Sequence, residues 1–549
     1  MKSAAYWMKL DMALHVDRII TNANIITLDA THPRATTLAV RGDRIVAVGS
    51  AADLDSLIGP ATVRHNAGGK ILIPGLTDAH IHWELTTRWL HSVDLFEVPS
   101  LAEAVERVSA YAAAMPAGQW VTGTGWFQDI WPGRAFPTAA DLDARVTAHP
   151  VYLAGKSVHV AWVNSRALQE AGITAETPDP PAGQIGRYPD GRPNGLLFES
   201  AMKLVADRIP RQSPEQLADD MLKTQAEAHR FGLTGIHDFD DPSCLRALQI
   251  QRERGQLGLR VVKQINRRWF QAALDSGLRW NMGDDWIRIG GFKLFADGAL
   301  GPRTATMIEP YVGEPENYGI VVHPKEEMLE WVSRASAAGL PATVHAIGDR
   351  AVRAVLDVFA QVRAEEAARG ESPASRRHRI EHVQIIHPDD KHRLGELSLI
   401  ASMQAIHATQ DMHMADSYWG ERSQFAYNPR IQLDQGVVVA FGSDAPVEHF
   451  NPIMGIHAAV TRQRADGSPG PDGWYPAARI SLTEALIGYT QGPAYAAGME
   501  DRLGKLAPGY LADMVVLDRD PYALPPAELL SLRVEGTMVG GAWRFGGLG

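Results

Sequence analysis

Short apolar runs recur along the chain, and helix-like spacing of apolar positions fills most of the gaps between them. One run starts at Ile71 and, after a Pro74-Gly75 break, leads to His80 and His82. The others cover residues 232–238, 259–266, 287–295, 342–346, 379–384, 400–407 and 437–444. Helix-like stretches at 324–338, 350–368 and 388–397 separate several of them. Eight strand candidates alternating with helices predict an α/β fold, a closed (β/α)8 TIM barrel. Such barrels carry their chemistry at the C-terminal ends of the strands. Here those ends hold His80, His82, Lys293, His345, His382 and Asp444.

The two ends of the chain have a different texture, a succession of short strand-like runs. Neither end has enough strands for a stable sheet. The prediction is one composite β-sandwich domain from residues 1–70 and 500–549, flanking a barrel over 71–499. The interval 83–231 is far longer than one crossover needs, and long connections are usually functional or separately folded. Residues 84–230 therefore read as an inserted small α+β domain above the barrel mouth. It has helix-like pieces at 101–114 and 215–230 and a loop rich in Pro and Gly at 177–195.

Composition narrows the chemistry. The 549 residues, 45% hydrophobic and 21% charged, fit a multidomain globular protein. A net charge of -11 leaves no basic stripe for a duplex, so no nucleic-acid partner is expected. No stretch is long and apolar enough to span a membrane, which predicts a soluble cytoplasmic protein. The single cysteine, Cys244, excludes a disulfide framework and cysteine-rich zinc sites, and it reads as a packing residue in a reducing compartment. Any metal must then rely on His, Asp, Glu or a modified side chain. A homodimer is compatible with the sequence, which shows no diagnostic interface.

Residues two apart on extended backbone point to one side, so His80 and His82 can aim two imidazoles at one point. His345 precedes the turn Ala346-Ile347-Gly348-Asp349, and His382 closes Arg379-Ile380-Glu381-His382. Each alone reads more readily as a packed or hydrogen-bonded histidine; in a closed barrel the four converge. Asp444, in Gly442-Ser443-Asp444-Ala445-Pro446, would be a metal ligand, the base for a bound water, or both; the alternative, a helix N-cap, is weakened by Pro446. Lys293 is the odd member: beside cations its ammonium must be deprotonated, modified or turned away. Asp297, His237, His407 and, within the insertion, His159 are candidates for substrate or supporting contacts. Trp83 and Trp126, with Trp131, Trp162 and Trp419, are candidates for an apolar pocket, although tryptophans are commonly core.

These motifs, together with Pro74-Gly75-Leu76-Thr77-Asp78-Ala79-His80-Ile81-His82 and Lys293-Leu294-Phe295-Ala296-Asp297-Gly298-Ala299-Leu300-Gly301, resemble the amidohydrolase superfamily over nearly the whole chain. The sequence is most similar to the amidohydrolase-3 branch, which includes the YtcJ-like proteins and the N-substituted formamide deformylases. The resemblance implies two divalent metals, expected to be zinc. His80 and His82 would bind one, His345 and His382 the other, and Lys293, carboxylated by carbon dioxide, would bridge them. Asp444 would be ligand and proton shuttle. The expected reaction is hydrolysis of a C–N bond in a small-molecule amide, N-formyl amine, imide or carbamate by a metal-activated hydroxide. His237 or His407 would help to stabilise the oxyanion. Ester or lactone hydrolysis and deamination of a cyclic amidine are the enzymatic alternatives. A catalytically silent regulatory relative is the non-enzymatic one.

Overall fold

In a computed structural model of the protein, which describes residues 15–548 apart from 97, 156–159, 182, 211 and the side chain of 129, eight short strands lie parallel in one sheet. They are β1 (Leu76–Ile81), β2 (Leu233–Asp238), β3 (Arg260–Asn266), β4 (Ile287–Phe295), β5 (Ala342–Ala346), β6 (Arg379–His382), β7 (Ile400–Met403) and β8 (Val438–Phe441). Their residues are buried almost throughout, as a sheet covered on both faces requires. Each strand pairs with the next in chain order.

Among the described residues no ladder joins β8 to β1, and the seam is closed just beyond the strands. Asp444 N–H donates to the His80 carbonyl at 2.7 Å, and His82 N–H donates to the Ala445 carbonyl at 2.9 Å. One oxygen of Asp78 accepts from the backbone N–H of both His80 and Ser443, each at 3.0 Å. Gly442 is required at this seam, because a Cβ there would lie 2.4 Å from the His80 nitrogen. The sheet is thus the predicted TIM barrel, nearly closed by hydrogen-bonded ladders and completed by the loop that carries Asp444.

The barrel starts later than the sequence suggests. Ile71–Pro74, expected to lead the first barrel strand, instead pairs in parallel with Asn24–Ile26 and antiparallel with Met514–Leu517. It belongs to a six-stranded sheet made from both ends of the chain. Pro74 and Gly75 separate two apolar strands, and only pairing assigns each to its sheet. A four-stranded sheet, from Arg18–Thr21, Thr37–Arg41, Arg44–Gly49 and Val63–Asn66, faces it across a core of Ile20, Ile25, Leu38, Leu72, Met514 and Met538. The composite sandwich expected from the two termini is therefore present.

The sandwich is tied to the barrel by a buried ion pair. Arg260, on β3, donates from Nε to Asp513 Oδ2 at 2.5 Å and from Nη2 to Oδ1 at 2.8 Å, and Gly540 N–H also donates to Oδ1.

The chain divides into two compact units, one reaching Trp83 and resuming at Gln225, the other spanning Glu84–Thr224. The second unit holds its own six-stranded sheet, the helix Leu101–Ala113 capped by Ser100, and a core containing Trp126, Trp131 and Trp162. No helix among the described residues is long and apolar enough to cross a membrane.

Leaving one partner of a buried ion pair uncompensated costs about 3–5 kcal/mol. Asp513→Asn should therefore destabilise the first unit by roughly that amount, read as a lower urea midpoint at unchanged slope.

Candidate metal centre

Five strand ends of the barrel surround a cavity of about 340 Å³, lined by His80, His82, Lys293, His345, His382 and Asp444 among others. Ligand atoms of His80, His382 and Asp444 all lie within 4.8 Å of one another. Asp444 Oδ1 is 3.4 Å from His80 Nε2 and 3.6 Å from His82 Nε2. The ring of His382 is 4.9 Å from that of His80 and 4.5 Å from that of His345. The sequence-predicted set therefore shares one cavity.

Local backbone explains how adjacent residues serve it. Side chains alternate along a strand, yet Glu381 and His382 both contact the His80 ring. His382 has φ 74°, outside the strand region, and this turns its side chain to the same side as its neighbour. Asp444 has φ 61° and reaches in from beyond β8. Both sit in a conformation that non-glycine residues rarely adopt, a recurrent mark of functional positions.

Each imidazole is anchored at one nitrogen, as metal-ligating histidines are. His80 Nδ1 donates to Glu381 Oε2 at 2.5 Å, and His82 Nδ1 donates to Asp240 Oδ1 at 2.9 Å. His382 Nδ1 donates to Gln404 Oε1 at 2.8 Å. His345 is reversed, since its Nε2 lies 2.9 Å from the Gly298 carbonyl, so Nδ1 is its available atom. Burial pushes His80 down to about 4 and, with Lys293 beside it, His345 down to about 3. Both rings are neutral at physiological pH, as ligation requires.

Lys293 is 2% exposed, and its Nζ has no hydrogen-bond partner. The rings of Phe239 and Phe295 each lie 4.7 Å from it. Burial pushes its pKa down to about 8, against the opposing pull of Glu381 and Asp444. Asp444 is the reverse case: burial would raise it, but His80, His407 and His382 outweigh that and hold it well below the carboxylate range.

The secondary candidates divide. His407 lines the cavity from the first turn of the helix Ala405–Trp419, because β7 ends at Met403 rather than running on to it. Its Nε2 is 3.6 Å from Asp444 Oδ2 and its Nδ1 3.4 Å from Glu448 Oε1. Burial lowers it, but the two neighbouring carboxylates dominate and raise it to about 10. Asp297 accepts from the N–H groups of Thr306, Ile347 and Gly348, so it shapes the turn behind His345. His237 does not border this cavity; its Nδ1 accepts from Arg379 at 3.0 Å beneath the site. That position corrects the expectation that it meets an oxyanion.

Trp83 is buried at the start of the helix Trp83–Leu90 and is not among the cavity-lining residues. Trp126 packs in the core of its own unit, its Nε1 donating to the Leu153 carbonyl. His159 lies outside the described residues. Cys244 is fully buried in the helix Pro242–Glu253. Sequence reasoning missed Arg379, Glu381, Asp240, Gln404 and Glu448. The first two carry a readable signal: charged residues two apart inside a strand buried on both faces need a function or a partner.

The amidohydrolase family profile matches residues 65–545. The chain belongs to the amidohydrolase family. Three relatives of this amidohydrolase align with almost all of it. Protein LONG AFTER FAR-RED 3 of Arabidopsis thaliana is 33% identical, over 98% of this chain and 94% of its own. YtcJ of Bacillus subtilis (strain 168) is 30% identical, over 88% and 90%. The N-substituted formamide deformylase of Arthrobacter pascens is 29% identical, over 96% and 98%. Among solved structures, an uncharacterized metal-dependent hydrolase from Pyrococcus furiosus superimposes with a TM-score of 0.75 at 28% identity, covering 92% of this chain and 99% of its own. At family level the chain is a metal-dependent hydrolase.

The charged state of His407 gives a test of the site's electrostatics. Its folded pKa of about 10 lies above the unfolded value of about 6.5. The stability it contributes is complete below about pH 6.5 and lost as pH rises through about 10. His80 and His345, pushed down instead, contribute above about pH 6.5 and lose that contribution as pH falls. His407→Gln should flatten the alkaline decline of urea stability in metal-stripped protein and leave the acid decline in place.

Proposed function

We propose that this amidohydrolase hydrolyses the C–N bond of a small amide, N-formyl amine, imide or carbamate at a pair of zinc ions bridged by carboxylated Lys293. The observation that carries the reading is the Lys293 amine, buried without a hydrogen-bond partner in the cavity that His80, His82, His345, His382 and Asp444 also line. A buried ammonium without partners is costly. Its lowered pKa of about 8 leaves a larger fraction as neutral amine. The lone pair of that amine bonds the carbon of carbon dioxide, the amine proton leaves to solvent, and the product is an anionic carbamate with two oxygens.

The donor set fits divalent zinc: neutral imidazoles and carboxylates are its usual ligands where cysteine is lacking. His80 and His82 would hold one ion through Nε2. His345 through Nδ1 and His382 through Nε2 would hold the other, with Asp444 and the Lys293 carbamate completing the set. Bound zinc supplies Lewis acidity toward water and toward a substrate carbonyl oxygen.

The remaining steps belong to the chain's own groups. Asp444, ionised and central, takes the proton of the attacking water and delivers it to the leaving nitrogen, which departs as a neutral amine. His407, held between Asp444 and Glu448, fixes the orientation of that carboxylate. Phe295, Leu300, Ile347, Met414 and Val447 give the cavity an apolar wall that suits an apolar substituent on the substrate. The relative named N-substituted formamide deformylase supports N-formyl amines as the first compounds to assay. A reducing, cytoplasmic setting is part of the same reading, in keeping with the single buried cysteine.

Asp444→Asn should keep zinc by elemental analysis and lower turnover of an N-formyl amine by about 10²-fold or more. Unchanged turnover would remove Asp444 from the proton path. Lys293→Ala should lose most activity and regain part of it with acetate or propionate, and mass spectrometry of the parent under carbon dioxide should show the carbamate. Full activity of Lys293→Ala without added acid rules out the bridge.

A further inference from the structure

Beneath the cavity lies a chain of buried polar groups to which neither the family assignment nor the proposed reaction gives a role. Glu381, on β6, is fully buried, and Arg379, two residues before it, is 3% exposed. Arg379 Nε donates to Glu381 Oε1, and Nη2 lies 2.9 Å from Oε2. The same Oε2 accepts from His80 Nδ1 at 2.5 Å.

The guanidinium has further partners on other strands. Nη2 donates to the Ala79 carbonyl on β1 at 2.7 Å and to Ser402 Oγ on β7 at 2.6 Å. Nη1 donates to His237 Nδ1 on β2 at 3.0 Å. Arg379 is therefore held from three strands besides its own, and it presents Glu381 in turn to the back of one ring. On its face that ring is stacked against Phe239, with centroids 3.9 Å apart and planes at 11°. The Nε2 edge is the one that looks toward Asp444.

A buried ion pair is weak evidence for stability, since apolar residues of similar volume often serve as well. Orientation is what this pair supplies. A carboxylate at Nδ1 requires the proton on that nitrogen, which leaves the Nε2 lone pair directed into the cavity, and it strengthens that nitrogen as a donor. His382 has only a neutral amide in the equivalent place.

We propose that Glu381 is a positioning residue that locks His80 in the Nδ1–H tautomer for metal binding, and that Arg379 locks Glu381. The inference rests on the reading of His80 as a metal ligand, and the controls separate the two.

The experiment titrates Zn²⁺ into the full-length protein against a competing chelator, with the ¹⁵N tautomer of His80 read in the metal-stripped parent. Glu381→Gln keeps the shape and removes the charge. The double variant Arg379→Met/Glu381→Leu removes the pair together, so that no buried charge is left alone to unfold the barrel. Both should weaken zinc binding by about 10- to 100-fold while urea unfolding shows a folded protein, and His80 in the parent should carry its proton on Nδ1. Glu381→Asp should recover part of the affinity. Parent-like zinc affinity in either folded variant, or an Nε2–H tautomer in the parent, overturns the proposal. His80→Ala is the control: if it binds zinc as tightly as the parent, the ligand reading itself fails. If it loses zinc while Glu381→Gln does not, only the role of Glu381 fails.

Discussion

The hydrogen bond from Asp444 N–H to the His80 carbonyl joins the end of the last barrel strand to the first, and the candidate site depends on it. Without this seam the sheet is open, and Asp444 is remote from the His80–His82 pair. Its neighbours reinforce it. Asp78 accepts from both sides of the seam, and Gly442 lets the two backbones approach more closely than any side chain allows. Asp444 at the seam, and His382 at the end of β6, adopt positive φ. Local strain of this kind persists where surrounding structure over-determines it. Here the surroundings are a closed barrel and a converging set of side chains.

Around that seam the polar groups form two layers with opposite electrostatic behaviour. Among the rings that face the cavity, His80, His345 and His382 are kept neutral by burial, while His407 is held charged by the carboxylates of Asp444 and Glu448. Behind them stand anchors: Glu381, Asp240 and Gln404. A cation in the cavity would meet lone pairs first and negative charge just beyond, an arrangement that strengthens binding without filling the cavity with anions. Lys293 departs from this pattern, since it is an amine with no hydrogen-bond partner between two aromatic rings. That mismatch makes it the residue whose chemical state decides how the site works.

The unit Glu84–Thr224 has its own sheet and its own tryptophan-rich core, and the lining of the cavity comes from the other unit. The composite sandwich is anchored to β3 through Arg260 and Asp513, on the barrel strand next to the one that carries Lys293. Relatives at about one-third identity or a little less match this chain along nearly its full length and bear unlike names. A shared barrel fixes where reacting groups are held and leaves the compound to the walls of the cavity.

Much of the site was legible before any fold was known. Apolar runs located seven of the eight barrel strands, the run at Ile71 belonging to the sandwich, and His80, His82, Lys293, His345, His382 and Asp444 stand out as ligand-type residues near strand ends. Periodicity reports which face of an element is buried, and that was sufficient for these positions. It does not report the partner. Ile71–Pro74 and Leu76–Ile81 are both short apolar strands, and only pairing sends one to the sandwich and the other to the barrel. His80 and Glu381 are 301 positions apart, so no local pattern links them. The sequence by itself determined the strands and the ligand-type residues, because burial and side-chain chemistry are local properties. Tertiary structure alone decided which sheet each strand joins and which carboxylate stands behind which histidine, because those contacts exist only once the barrel closes.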